Sequence, residues 1–162
     1  MLFLKEGKQL LKNLTIDMQI YTSYFSNIPN LEAAGIYCVA MCLKVPDFFE
    51  GPNFGSIAPS CSILSEHKKN HDDERYKERY INEILCAYRF HPEYIPERLE
   101  QMSGGKDVAL LCYERPEDFC HRHIFANWIN ERMPELNIHE YPVYPQKKEK
   151  KKETYPVSNE LF

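Results

Sequence analysis

The sequence has no long hydrophobic run, no excess of basic residues, no internal repeat and only one tryptophan, Trp128. Each of these absences removes a class of function. A net charge of −4 gives no basic surface for non-specific DNA or RNA binding, though it leaves room for a local basic groove. The opening MLFLKEGKQLLKNL holds too short an apolar run to serve as a targeting or spanning segment, because Lys5, Lys8 and Lys12 interrupt it. Leu4, Leu11 and Leu14 share one helical face there, which predicts a short packing helix. A phosphatase-type loop, with an arginine six residues after a cysteine, is also missing: the position six after Cys112 is Asp118.

What is present suits a single α/β domain. A chain of 162 residues, 43% of them apolar, is enough for one core. Six cysteines occur with no secretory leader read ahead of them, and they are expected to be mostly buried hydrophobes of a reducing compartment, so the cytoplasm is the expected location and no membrane association is expected. MQIYTSYF alternates as a strand does, Pro29 opens a short helical piece ended by Gly35, and IYCVAMC reads as a second buried strand. That order predicts a βαβ unit in a parallel sheet. Residues 43–60 hold three prolines and two glycines and read as a long irregular loop.

Downstream, Asp72 or Asp73 caps a helix running through ERYKERYINEILCAYR, and PEYIPERLEQMS forms another, closed by Gly104 and Gly105. DVALLC has the continuous apolar character of a central parallel strand. A helix from about Phe119 to Arg132 turns Ile124, Trp128 and Ile129 inward, and IHEYPVY supplies an edge strand that tolerates Pro142. The expected fold is therefore one three-layer α/β domain, residues 1–144, around a small mostly parallel sheet. Residues 145–162, with five lysines against three glutamates, are expected to form a disordered basic tail.

The chemistry concentrates in LLCYERPEDFCHRHIF, residues 110–125. Cys112 ends the central strand, and Cys120, His121 and Arg122 begin the next helix, at the sheet edge where parallel α/β proteins bind ligands. Helix N-termini favour anions, and Arg122, with Arg115 behind it, could grip phosphate or carboxylate; alternatively Arg122 pairs with Glu114, Glu117 or Asp118. Thiol chemistry at Cys120, with Cys112 as partner and His121 as acid or base, is a second reading, since a helix N-terminus and neighbouring cations favour the thiolate. A zinc site from Cys112, Cys120, His121 and His123 is set aside, because successive helical residues point about 100° apart and cannot easily converge on one ion. No metal or cofactor is expected.

The turn resembles the signature of domain-of-unknown-function family 488, and IYTSYF, FGSIAPS, ERYINEIL and GGKDVALLCYE look like the corresponding stretches of that family, so that the likeness spans about residues 18–140. It implies a small α/β domain in a cytoplasmic bacterial, archaeal or phage setting, without a settled activity. The family commonly carries a basic residue ahead of a proline after the second strand. Here that slot before Pro46 is Leu43 with Lys44 beside it, so Lys44 would have to act as a point charge.

Two functions are weighed first, and a redox or zinc site at the same cysteines stands as a third. One is a pocket for a phosphate-bearing ligand, such as a nucleotide, nucleic-acid end or phosphorylated metabolite, with or without chemistry on it. Arg122, Cys112, Glu114, Lys44, Thr22 and Ser23 would bind, and His121 and Cys120 would be catalytic. The other is a non-enzymatic protein-interaction module that presents the aromatics of FFEGPNF and YPVYP.

Overall fold

A computed structural model describes residues 16–142. The expected N-terminal packing helix and the basic tail lie outside the described residues. The sheet has four parallel strands: β1 (Ile20–Tyr24), β2 (Tyr37–Ala40), β3 (Val108–Cys112) and β4 (His139–Glu140), in the spatial order β2-β3-β1-β4. All five residues of β3 are buried, as the unbroken apolar run required of a strand paired on both sides and covered on both faces. β1 and β2 are parallel as predicted, but β3 lies between them instead of their being neighbours.

Among the described residues five α-helices flank the sheet: α1 (Ile28–Ala33), α2 (Cys61–Asn70), α3 (Asp73–Glu83), α4 (Tyr94–Ser103) and α5 (His121–Arg132). Gly35 (φ 74°) and Gly104 (φ 65°) follow α1 and α4 in the left-handed conformation that side chains resist. The crossovers β1–α1–β2 and β3–α5–β4 run in opposite directions along the sheet, which puts their helices on opposite faces when both keep the usual right hand. Two apolar clusters result. Val108 and Leu110 join residues of α2 to α5 on one face, while Ala109 and Leu111 meet Phe25 and Leu31 on the other. The three-layer expectation holds.

Two elements differ from the sequence reading. α2 was not anticipated, because Ile63 and Leu64 are its only apolar residues apart from Cys61; it starts where the Ser60 hydroxyl accepts a hydrogen bond from Ile63 N at 3.2 Å. The helix capped by Asp72 stops at Glu83, and a 3-10 turn, Leu85–Tyr88, replaces its expected last turn.

The proline-rich loop after β2 is largely irregular, as read. It doubles back along the β2 edge, where Phe54 N donates to Ala40 O at 2.8 Å. Within it the Asn53 amide clamps Cys42, accepting from its N–H at 3.3 Å and donating to its carbonyl at 2.9 Å.

Candidate functional site

Three chain segments meet at the carboxyl end of the sheet. β3 delivers Cys112 as its last residue, the chain leaving β2 delivers Met41, and α5 begins with His121 directly after Cys120. Cys120 occupies the cap position with extended backbone, φ −153° and ψ 143°, so its side chain is outside the angular series of the helix. His121 is 5% exposed, and its Nε2 lies 2.6 Å from the Met41 carbonyl oxygen. A carbonyl only accepts, so Nε2 carries a proton and donates it. The other ring nitrogen, Nδ1, lies 3.8 Å from Cys120 Sγ and 3.7 Å from Cys112 Sγ, a sulfur that is also 3.8 Å from Nε2.

The sulfurs are electrostatically unequal. Burial pushes the Cys120 thiol up, but hydrogen bonds with Cys112 and His121 and the positive charge of His121 and Arg122 together draw it below the ordinary thiol value. Cys112 moves up, first through its hydrogen bond to Cys120 and then through burial. Glu114 is raised by burial and then by the charge of Cys120, and its Oε2 is buried without a hydrogen-bond partner. Burial is the main cause, because a carboxylate loses more than a neutral carboxyl when it leaves water.

These groups form the inner wall of a cavity of about 370 Å³, with exposed Leu43 and Lys44 on its outer side. Phe119, Tyr76 and His67 give it an aromatic side, with Phe119 stacked on His67 at 5.2 Å between ring centres. A wider groove of about 790 Å³ lies beside α1 and the 48–52 loop, but it is lined with Glu32, Glu50 and apolar rings and brings no imidazole to its one sulfur, Cys38.

The expected anion clamp takes another form. Arg122 is fully buried, and its Nε and Nη2 donate to the two carboxylate oxygens of Glu140 at 3.2 and 3.0 Å. Its Nη1 donates to the Glu114 carbonyl at 2.8 Å. The guanidinium is sealed within the fold and engaged at Nε, Nη1 and Nη2, whereas the sequence reading has Arg122 facing the pocket as its charge. Its carboxylate is also not one of the three nearby acids: Arg115 engages Glu117 at 3.5 Å and Asp118 at 3.1 Å, and Arg122 reaches β4 instead.

Thr22 and Ser23 likewise serve the frame. Thr22 Oγ1 donates to Glu140 Oε2 at 2.6 Å, and Ser23 Oγ accepts from Asn27 Nδ2 at 3.1 Å. His123 turns towards Glu140, 3.9 Å away, and stands apart from the sulfur cluster. Cys112, Glu114, Cys120, His121 and Lys44 are thus brought together, while Arg122, Thr22 and Ser23 brace one side of the site. Sequence reasoning missed Met41, whose contribution is a backbone carbonyl and leaves no side-chain signal. It also missed Glu140, whose acid on a short edge strand looks like ordinary surface charge.

Fold and site together define a small parallel α/β domain with a thiol–imidazole cluster at the carboxyl end of its central strand. The sequence profile of DUF488-N3a, the active DUF488-N3 subclade, matches residues 53–133, half of the chain. The protein belongs to the DUF488 family of domains of unknown function. The matched span includes Cys112, Glu114, Cys120 and His121 and leaves out Thr22, Lys44 and Glu140. No curated protein and no solved structure matches the chain. No helix among the described residues is long and apolar enough to cross a membrane.

Proposed function

We propose that the cavity is the active site of a cysteine-dependent enzyme acting on a small ligand, with Cys120 as the nucleophile. The observation that carries this is the fixed imidazole: Nε2 is held by Met41 O at 2.6 Å, which leaves Nδ1 to take a proton from Cys120 at 3.8 Å. The thiolate then attacks an electrophilic carbon or phosphorus and forms a bond to sulfur as the leaving group departs. Glu114 or the protonated His121 supplies the leaving group's proton, and water hydrolyses the sulfur-bound intermediate to restore the thiol. Position at the head of α5 favours the thiolate and any negative charge developing beside it.

A phosphate-bearing ligand remains the substrate class favoured here. The charge for it comes from Lys44 at the cavity rim rather than from Arg122, with the aromatic side available to a planar ring. The test is mass-mapped labelling of the folded protein with iodoacetamide. Cys120 is expected to label ahead of the buried Cys42, and His121→Phe to slow that labelling about tenfold or more. Labelling of Cys120 at the same rate as Cys42 would falsify the nucleophile. A parallel thermal-shift series with nucleotides and sugar phosphates is expected to raise Tm in the wild type and not in Lys44→Ala; no response in the wild type removes the phosphate class and leaves the thiol chemistry.

A further inference from the structure

The same cluster has the geometry of a metal site. One sulfur of Cys112, one of Cys120 and one ring nitrogen of His121 lie within 4.8 Å of one another, all buried. Around a tetrahedral zinc ion, with Zn–S near 2.3 Å and Zn–N near 2.0 Å, neighbouring ligand atoms stand about 3.5–3.8 Å apart. The two nitrogen–sulfur separations, 3.7 and 3.8 Å, already match that spacing. The objection from helical geometry lapses, because Cys120 precedes the helix in extended conformation and only His121 belongs to it.

Two further observations point to a cation. The Nε2–H of His121 is engaged by the Met41 carbonyl, the outer contact that aims the opposite nitrogen of a metal-binding histidine and strengthens it as a ligand. On the cavity side, Glu114, which stands outside the three-ligand cluster but lines the same cavity, has its Oε2 buried with no hydrogen-bond partner.

We propose that Cys112, Cys120 and His121 form a three-ligand site for a thiophilic divalent cation of the zinc class, with a fourth position open to the cavity that Glu114 also lines. Two thiolates and an imidazole select zinc-like ions over magnesium and calcium, which require oxygen ligands. The inference concerns the same sulfur as the proposed chemistry. A sulfur bound to metal is no longer free to attack, so occupation of the site switches the thiol off.

The experiment titrates the full chain, freed of metal by a chelator, with zinc and separately with cobalt. One equivalent of zinc per chain is expected, cobalt should give the thiolate charge-transfer and tetrahedral visible bands, and zinc should slow iodoacetamide labelling of Cys120 at least tenfold. Cys112→Ser and Cys120→Ser should each weaken zinc about tenfold or more, while Cys38→Ser should not. Zinc uptake unchanged by both cluster variants, or a wild-type cobalt complex without thiolate bands, overturns the site. If a cluster variant fails to fold, the cobalt spectrum and the zinc protection of the wild-type chain still decide the matter. Rapid labelling of the metal-free protein without metal binding defeats this inference alone; tight metal binding with slow metal-free labelling defeats the proposed nucleophile alone.

Discussion

Arg122 gives its donor edges to Glu140 and to the Glu114 carbonyl, so removing its side chain strips the partner from a carboxylate that is only 21% exposed. Breaking such a pair from one side costs about 3–5 kcal/mol. Arg122→Ala is expected to lower unfolding stability in urea by about 3 kcal/mol, and adding Glu140→Ala to cost less than the sum of the single losses. Strict additivity would mean that the pair does not act as a unit. At this scale the sequence was legible wherever the chemistry is local. Cys120 and His121 are adjacent, Cys112 is nine positions from His121, and strand-then-helix reading was enough to bring them together. Arg122 was legible as a residue and illegible as a contact, since its partner arrives 18 positions later on a two-residue strand.

α2 and α3 form the surface layer that walls the cavity, and they are tied by charge as much as by packing. Arg79 Nη1 donates to Glu66 Oε2 at 2.9 Å, and its Nε to Glu83 Oε2 at 2.8 Å. The hydrogen bond from Arg79 is the largest influence on Glu66 and holds its carboxyl below the usual value. A group whose pKa is lower folded than unfolded stabilises the fold above the unfolded value, and that contribution fades as pH falls through the folded one. Glu66→Gln should therefore melt below the wild type near pH 7, with the gap closing towards about pH 3; a gap that persists in acid would show that the ion pair contributes nothing. The same layer explains why α2 escaped detection. A mostly exposed helix with Ile63 as its one fully buried residue has almost no periodic signal, whereas Tyr76 and Tyr80 of α3, both buried, announce themselves.

The described residues form two apolar clusters separated by a thin sheet, and the exposed rings of Phe48 and Tyr113 both lie over Phe25 of the smaller one. Phe48 is 70% exposed, while Phe49 packs against Phe25 with ring centres 5.4 Å apart. The protein-interaction reading of FFEGPNF thus divides into two residues with different duties. Phe48→Ser is expected to change stability by less than about 0.5 kcal/mol, and Phe49→Ser to cost about 1–2 kcal/mol, both read from chemical denaturation. A partner lost with Phe48→Ser at unchanged Tm supports an interaction face there; equal destabilisation by both substitutions makes these rings ordinary packing. The architecture was legible because β1 wrote an alternating pattern, β2 and β3 wrote apolar runs, and each crossover wrote its own helix. The strand order was not, because pairing between β1 and β3 joins residues 88 positions apart in the chain.

The grip of Asn53 on Cys42 has a bearing on reactivity that its distance from the sulfurs conceals. Met41, whose oxygen steers the imidazole, is the very next residue back along the chain. Slackening that amide staple is expected to let the ring swivel, so that Asn53, itself no member of the sulfur–imidazole cluster, tunes how alert the thiol is.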